Sequence, residues 1–289
     1  MKPASFKYHS PETLDEVLDL LRQHGSDAKL LAGGQSLVPA MNFRVVVPTR
    51  LVDLNRVAEL SFMKEAGNAF HIGAMIRERQ LEFDPQLAAW APLMTEAIPF
   101  LAHPQIRNRG TLGGSLANAD PAAELPVITL ALEARFKARS SKGDRWIGPQ
   151  DFFTGMFSTA LTPEEVLVEV ELPPRRPRTG WSFLEVAPRR GDYALLGVAV
   201  LITLDERGIC QHSRLVYLNA GDGPVDAKGA AALLLGQSPS EGLFEEAAVL
   251  ASEKEIDPSG NLHASPDFQR HLARVLTRRA LKQALERAG

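Results

Sequence analysis

A single cysteine in 289 residues, Cys210, removes several kinds of chemistry at once. No internal disulfide can form, and no four-cysteine zinc or iron–sulfur site can be built within this chain. Cys210 itself reads as a small strand residue. The chain also lacks an excess of either charge: 32 Lys and Arg stand against 35 Asp and Glu, for a net charge of −3. General attraction to nucleic acid or to an anionic membrane is therefore not expected. No apolar run approaches the roughly 20 residues that cross a bilayer. The start, Met1-Lys2-Pro3-Ala4-Ser5-Phe6, has no apolar stretch of the secretory kind. A soluble, cytoplasmic protein is the expectation.

Familiar motifs are missing as well. There is no Gly-x-Gly-x-x-Gly dinucleotide fingerprint and no Gly-Lys-Ser/Thr of a P-loop. Zinc-protease, Gly-x-Ser-x-Gly hydrolase and kinase signatures are absent too. The histidines, His9, His24, His71, His103, His212, His263 and His271, are scattered without metal-ligand spacing. Only His103 lies next to a stretch of interest.

That stretch is Thr111-Leu112-Gly113-Gly114-Ser115-Leu116-Ala117-Asn118-Ala119-Asp120. Adjacent glycines let bare backbone N–H groups approach a ligand, because no Cβ stands in the way. Thr111, Ser115 and Asn118 add hydroxyl and amide groups. Together they look like a cradle for phosphate oxygens, at a helix start or a nest of amides. An ordinary glycine turn would read the same way in isolation. A second stretch of the same character, Ala32-Gly33-Gly34-Gln35-Ser36-Leu37, lies far upstream. Two such turns in different lobes suggest one long diphosphate ligand lying between them, and FAD has the natural size.

With 45% hydrophobic and 23% charged residues, the chain has the make-up of a packed globular protein, and its length accommodates two or three lobes. Ser10, or alternatively Thr13, caps a first helix opened by Pro11 and carried by Leu14, Val17, Leu18 and Leu21, with Gly25 ending it. Short strands at 28–32 and 51–54 flank the first glycine turn and a short helix over 36–43. A hairpin follows at 61–72, then helices over 77–83 and 88–102, punctuated by prolines. Beyond the second glycine stretch come a helix through 121–132 and strands at 134–138, 145–147 and 166–172. Pro173-Pro174-Arg175-Arg176-Pro177-Arg178-Thr179-Gly180 contains no large apolar residue and reads as an exposed connector. After it, strands at 181–186, 195–204 and 215–219 precede helices over 228–235, 244–256 and 266–288. The last helix is expected to turn Phe268, Leu272, Val275, Leu276, Leu281 and Leu285 inward. The divisions are residues 1–56, 57–174 and 175–289, with no internal repeat.

The stretches Leu31 to Pro39 and Ile106 to Pro121, in this order and separation, resemble the FAD-binding medium subunits of the molybdenum hydroxylases, the xanthine dehydrogenase superfamily. The likeness is strongest to those of the carbon monoxide dehydrogenase and caffeine dehydrogenase type. A third marker, Arg189-Arg190-Gly191-Asp192-Tyr193-Ala194, resembles a basic–Gly-Asp-aromatic-Ala segment of that family, and the likeness runs over essentially the whole chain. It implies an α+β protein: a two-lobed FAD-binding fold of the vanillyl-alcohol-oxidase (PCMH) type, then a C-terminal domain of an antiparallel sheet with helices.

By the same resemblance, Ala32, Gly33, Gly34, Gln35 and Ser36, with Thr111 to Ser115 (Gly114 included), would hold the FAD pyrophosphate, and Leu31 and Leu37 also count among the cofactor-binding residues. Lys29 would lie near the adenosine half, and Ala102 and Leu161 would pack against flavin or adenine. Asn118 and Glu124 would bond the ribityl or ribose region, and Tyr193 would sit by the isoalloxazine ring, where an aromatic face can stack. Two departures touch the flavin surroundings: Glu185 stands where some relatives carry lysine, and Pro188 replaces a basic residue. The implied partners are a large molybdenum–pterin subunit that oxidises the substrate and a small subunit with two [2Fe–2S] clusters, as a dimer of heterotrimers. Electrons would pass from the clusters to FAD in this chain and on to an external acceptor. A stand-alone FAD oxidase of the same fold and a non-catalytic interaction protein are the alternatives.

Overall fold

The computed structural model describes residues 2–289. The first lobe runs β1 (Lys7–His9), α1 (Leu14–His24), β2 (Ala28–Leu31), α2 (Leu37–Asn42) and β3 (Arg50–Asp53). Its three strands form a parallel sheet in the order β1-β3-β2. Thr13, not Ser10, caps α1: its hydroxyl accepts from the Glu16 N–H, and the Glu16 carboxylate accepts from the Thr13 N–H. This reciprocal box needs a Glu or Gln three residues after the cap, which Thr13 has and Ser10 lacks. Leu14, Val17, Leu18 and Leu21 are buried as their spacing predicts.

The second lobe contains β4 (Met63–Ala66), β5 (Ala69–Gly73), α3 (Glu78–Phe83), α4 (Pro85–Trp90), α5 (Pro92–Ala97), α6 (Pro104–Arg107), α7 (Leu112–Asn118) and α8 (Glu124–Ala131). It continues with β6 (Arg135–Ser140), β7 (Gly143–Ile147), α9 (Pro149–Phe152), β8 (Phe153–Gly155), β9 (Ser158–Thr159) and β10 (Val166–Leu172). The main sheet is antiparallel, in the order β4-β5-β10-β6-β7. Pro85, Pro92 and Pro104 each begin a short helix, where a missing N–H costs nothing, so the stretch from 88 to 102 breaks into pieces.

The third unit is a four-stranded antiparallel sheet of β11 (Thr179–Val186), β12 (Leu196–Leu204), β13 (Cys210–Leu218) and β14 (Val225–Asp226). It is backed by α10 (Lys228–Leu234), α11 (Glu241–Leu250) and α12 (Pro266–Ala288). All nine residues of β12 are buried, because both of its faces are covered. Leu196, Val198, Val200, Ile202 and Leu204 meet the helices, whereas Ala199 and Leu201 join the core of the second lobe. Strand alternation thus divides one strand between two cores.

Three expectations are corrected here. The exposed connector stops at Arg178: Thr179 and Gly180 open β11, and the buried hydroxyls of Thr179 and Thr203 meet at 2.7 Å. Phe268 of α12 is 43% exposed, and the buried face is instead Gln269, Leu272, Ala273, Leu276, Thr277, Ala280, Leu281 and Ala284. The alanines let α12 lie close on the sheet, so close that a Cβ on Gly180 would fall 1.8 Å from the Ala284 carbonyl. Strand β13 starts five residues earlier than its apolar run, because His212 and Arg214 alternate toward the second lobe and pair there with Glu133 and the Leu130 carbonyl. Cys210 is buried on that strand.

Candidate functional site

The two glycine turns, some eighty residues apart in sequence, share one wall. A Cβ on Gly33 would lie 2.3 Å from the Arg109 carbonyl oxygen and 2.8 Å from the Gly110 Cα. A Cβ on Gly114 would lie 2.7 Å from the Thr111 hydroxyl and 3.3 Å from the Ala32 Cβ. Gly34 has φ +79°, a conformation that glycine adopts without steric cost. Glycine is therefore required at 33 by space and at 34 by backbone geometry.

The carbonyls of these turns are tied down by side chains. Asn55, just past β3, donates to the Ala32 carbonyl at 2.9 Å. Arg77, just past β5, donates to the Asn55 side-chain oxygen and to the Arg109 carbonyl, each at 2.5 Å. Gln35 donates back to the Gly33 carbonyl at 3.1 Å. With the carbonyls engaged on one side, the N–H groups of Gly33, Gly34, Gln35 and Ser36 are left without protein acceptors among the described residues. Four consecutive unpaired amides beside a glycine-lined wall form an anion-binding concavity.

The second turn contributes differently. The N–H groups of Leu112, Gly113 and Ser115 already donate to the carbonyls of Ile76, Ala74 and Thr111. The Gly114 N–H donates to the Thr111 hydroxyl at 3.1 Å. Thr111 is 1% exposed and acts as the cap of α7, so it shapes the turn. Ser115 and Asn118, both partly exposed on α7, are the polar side chains left open.

Beyond α7 the surroundings turn acidic. Glu78 is buried with its carboxyl against Gly110, and burial, then the Glu124 carboxylate, pushes it up to about 8. Glu124 opens α8, and burial raises it to about 7. Glu185, on β11, is raised to about 8 by burial and then by Glu124. One of its carboxyl oxygens is buried without a hydrogen-bond partner. Burial also pushes Asp120 up. Near neutrality Glu78 and Glu185, and in part Glu124, hold protons that an exposed carboxyl would have lost. Tyr193 is 73% exposed, and partial burial of its phenol, then Asp120 and Glu124, raise its pKa.

The third unit reaches this site through the loop before β12. Gly191 (φ +87°) packs so closely on His103 that a Cβ would fall 2.4 Å from the imidazole Cε1 and 2.8 Å from the Ala102 carbonyl. The Ala102 turn is held by Arg107, which is buried, paired with Glu82 at 3.0 Å, and donates to the Leu101 and Ala102 carbonyls. Asn219 ties the end of β13 to the same region: its N–H donates to the Pro121 carbonyl, and its side chain to the Ala194 carbonyl.

Of the residues singled out in the sequence, Ala32 to Ser36, Thr111, Gly114 and Ser115 meet around the shared wall, and Leu31 and Leu37 flank it in chain order. Ala102 touches Gly191 of the third unit, Tyr193 of that unit lies near enough to Glu124 to feel its charge, and Asn118 ends α7. Lys29 is exposed on β2, the edge strand of its sheet, and Leu161 packs at the edge of the second-lobe core. Asn55, Arg77 and Glu78 were not legible as site residues. Each acts on backbone distant in sequence, and no local pattern marks such a contact.

Residues 4–175 match the family described as the FAD binding domain in molybdopterin dehydrogenase, and residues 181–284 match the CO dehydrogenase flavoprotein C-terminal domain. The chain belongs to this family of FAD-binding medium subunits of molybdenum hydroxylases, and it is an oxidoreductase subunit. Among its relatives is the 6-hydroxypseudooxynicotine dehydrogenase complex subunit alpha of Paenarthrobacter nicotinovorans. The two are 40% identical over all of this chain and 97% of the relative. Carbon monoxide dehydrogenase from Hydrogenophaga pseudoflava lacking the Mo-pyranopterin moiety superposes with TM-score 0.96 at 37% identity, over 99% of both chains. Quinoline 2-oxidoreductase from Pseudomonas putida 86 superposes with TM-score 0.94 at 37% identity, over 100% of this chain and 99% of that one. The α+β architecture, FAD-binding lobes followed by a flavoprotein C-terminal domain, is as the resemblance implied. No helix among the described residues is long and apolar enough to cross a membrane.

Proposed function

We propose that this chain is the FAD-carrying electron-transfer subunit of a cytoplasmic heterotrimeric molybdenum hydroxylase. Its partners in this reading are a large molybdenum–pterin subunit and a small subunit with [2Fe–2S] clusters, assembled as a dimer of heterotrimers. The observation that carries the reading is the shared wall of Gly33 and Gly114 beside four unpaired amides. Bound FAD supplies a carrier that accepts electrons from the clusters and releases them to an external acceptor.

The chain's own residues hold and orient that carrier. The amides of Gly33 to Ser36 and the Ser115 hydroxyl bind the diphosphate, with Leu31, Ala32, Leu37, Thr111 and Gly114 shaping the turns. Lys29 serves the adenosine half, and Asn118 and Glu124 bond the ribityl or ribose hydroxyls. Ala102, Leu161 and Tyr193 pack against the ring systems. The three functional units are residues 1–56, 57–174 and 175–289. Relatives named for carbon monoxide, caffeine and nicotine differ in substrate while sharing this subunit, so substrate choice is assigned to the large subunit.

The test is purification of the chain through an affinity tag, with its neighbours co-expressed. Flavin absorbance and co-purification of both partner subunits are expected. A colourless chain that takes up no added FAD would sink the reading.

A further inference from the structure

Glu78 is 7% exposed and lies next to the shared wall of the two glycine turns. Gly33 packs on the Arg109–Gly110 backbone, and the Glu78 carboxyl packs on Gly110 in turn. A Cβ on Gly110 would fall 2.3 Å from the carboxyl Oε2 and 2.7 Å from Oε1. One glycine thus separates a carboxyl from the turn whose amides are free. The backbone fixes this placement. The Glu78 N–H donates to the Gly110 carbonyl at 3.0 Å, and Arg77 forms an antiparallel bridge with Thr111.

Little beside this carboxyl offsets its charge. No described residue donates a hydrogen bond to it, and the two cations near enough to be felt are Arg107 and Arg77. Both are committed elsewhere. Arg107 pairs with Glu82 and donates to the Leu101 carbonyl, and Arg77 donates to Asn55 and the Arg109 carbonyl. From α8, Glu124 adds a second carboxyl, itself raised by burial and then by Asp120. Burial, then Glu124, pushes Glu78 up to about 8. The group therefore gains and loses its charge close to neutral pH.

A diphosphate seated on the amides of Gly33 to Ser36 brings two negative charges to this backbone. An ionised Glu78 opposes them through protein, where little water screens the pair, and a protonated Glu78 does not.

We propose that Glu78 is a positioning residue for the cofactor's diphosphate, which the cradle holds tightly while the Glu78 carboxyl is protonated and loosely once it ionises. The inference rests on the reading of this chain as an FAD carrier. Cofactor binding and proton binding are then one linked equilibrium. The bound anion keeps the Glu78 proton in place to higher pH, so a chain ionised beforehand takes a proton from solvent as it binds FAD.

The test titrates the full chain, stripped of FAD, by flavin fluorescence at several pH values. Calorimetry in two buffers of different ionisation enthalpy then counts protons. The diphosphate is doubly ionised throughout, so it contributes no titration of its own. Affinity should fall about tenfold between pH 7 and pH 9, with about half a proton taken up per FAD at pH 8. Glu78→Gln mimics the protonated carboxyl. It should match the parent at pH 7 and hold that affinity to within about threefold at pH 9, with proton uptake lost. Glu78→Asp draws the carboxyl back by one methylene and should move the midpoint of the fall. A level affinity in the parent overturns the proposal, as does an unchanged midpoint in Glu78→Asp. An equal fall in Glu78→Gln overturns it too, by assigning the linkage to Glu124 or its neighbours. So does loss of the parent's far-ultraviolet dichroism at the pH where FAD is lost, since the fold and not the cradle would then have yielded. If the unaltered chain takes up no FAD at any pH, the broader reading fails instead, and this assignment falls with it.

Discussion

Arg77 of the second lobe reaches the side chain of Asn55 in the first, guanidinium to amide oxygen at 2.5 Å. Through that contact the two residues hold the Ala32 and Arg109 carbonyls, one from each glycine turn. Arg77→Met keeps the aliphatic length and removes both donors. A hydrogen bond to a charged group contributes about 1.5–3 kcal/mol, so FAD affinity is expected to fall about 10- to 100-fold. Flavin fluorescence titration of the apoprotein measures it. Arg79→Met, which removes a half-buried arginine two positions on that pairs with Glu82 and touches neither glycine turn, should leave affinity within about twofold.

Gly33→Ala and Gly114→Ala look alike in sequence and should differ in outcome. The new methyl at 33 meets backbone, Arg109 and Gly110, which cannot rotate away. At 114 the nearest atom is the Thr111 hydroxyl, which can turn at the loss of one cap. Gly33→Ala should cost about 1–3 kcal/mol as overpacking and abolish flavin retention on gel filtration. Gly114→Ala should cost about 1 kcal/mol, the value of a cap, and retain part of its flavin. Equal losses would contradict the geometry of the shared wall.

The glycine turns, the strand–turn–helix order around each and most helix positions were legible because they depend on local chemistry: backbone freedom, capping and periodicity. The burial of Gln269 and Thr277, and the exposure of Phe268, were not. α12 packs on a sheet whose shape is set by residues a hundred positions away, and Gly180 selects alanine rather than leucine at its contact. The same holds within the site. Gly33 announces itself, whereas Asn55 and Arg77 are polar residues beside strand ends until the chain folds. The engaged amides of Leu112 to Ser115 were hidden for the same reason, since their acceptors, Ala74 and Ile76, come from another segment.

Glu78, Glu124 and Glu185 predict how stability responds to pH in the FAD-free chain. Each carboxyl has a folded pKa above its ordinary 4.5, about 7 for Glu124 and about 8 for the other two. Such a group favours the fold while it is protonated in both states, below the unfolded value. That advantage is lost as pH rises through the folded value, because the native state then holds a buried charge. Thermal stability should therefore fall between about pH 5 and pH 8. Glu185→Gln removes one of these carboxyls, and one without a partner for an oxygen. Calorimetry across that range should show a shallower slope and a Tm at pH 8 higher by about 2–4 °C. An unchanged slope would mean that Glu185 ionises freely.

Gln269 is 1% exposed, and its amide is fully used. It donates to the Leu195 and Asn219 carbonyls at 2.9 and 3.0 Å and accepts from the Gly260 N–H at 3.0 Å. One carbonyl lies two residues after Tyr193, and the other belongs to Asn219, whose N–H donates to the Pro121 carbonyl. Gln269→Leu has similar volume and strands two backbone groups, the Asn219 carbonyl and the Gly260 N–H, because the Leu195 carbonyl also accepts from the Asn219 side chain. With each costing about 1–3 kcal/mol and some relaxation, a net loss of about 3 kcal/mol is expected in urea unfolding. Gln269→Glu keeps one acceptor for Gly260 but sets a carboxylate against two carbonyls, so it should be no better at neutral pH and should recover partly in acid. Flavin fluorescence distinguishes a local effect from a global one. If the third unit positions Tyr193 against the ring, the folded Gln269→Leu protein should show brighter bound flavin than the parent, through loss of aromatic quenching, at little change in FAD affinity.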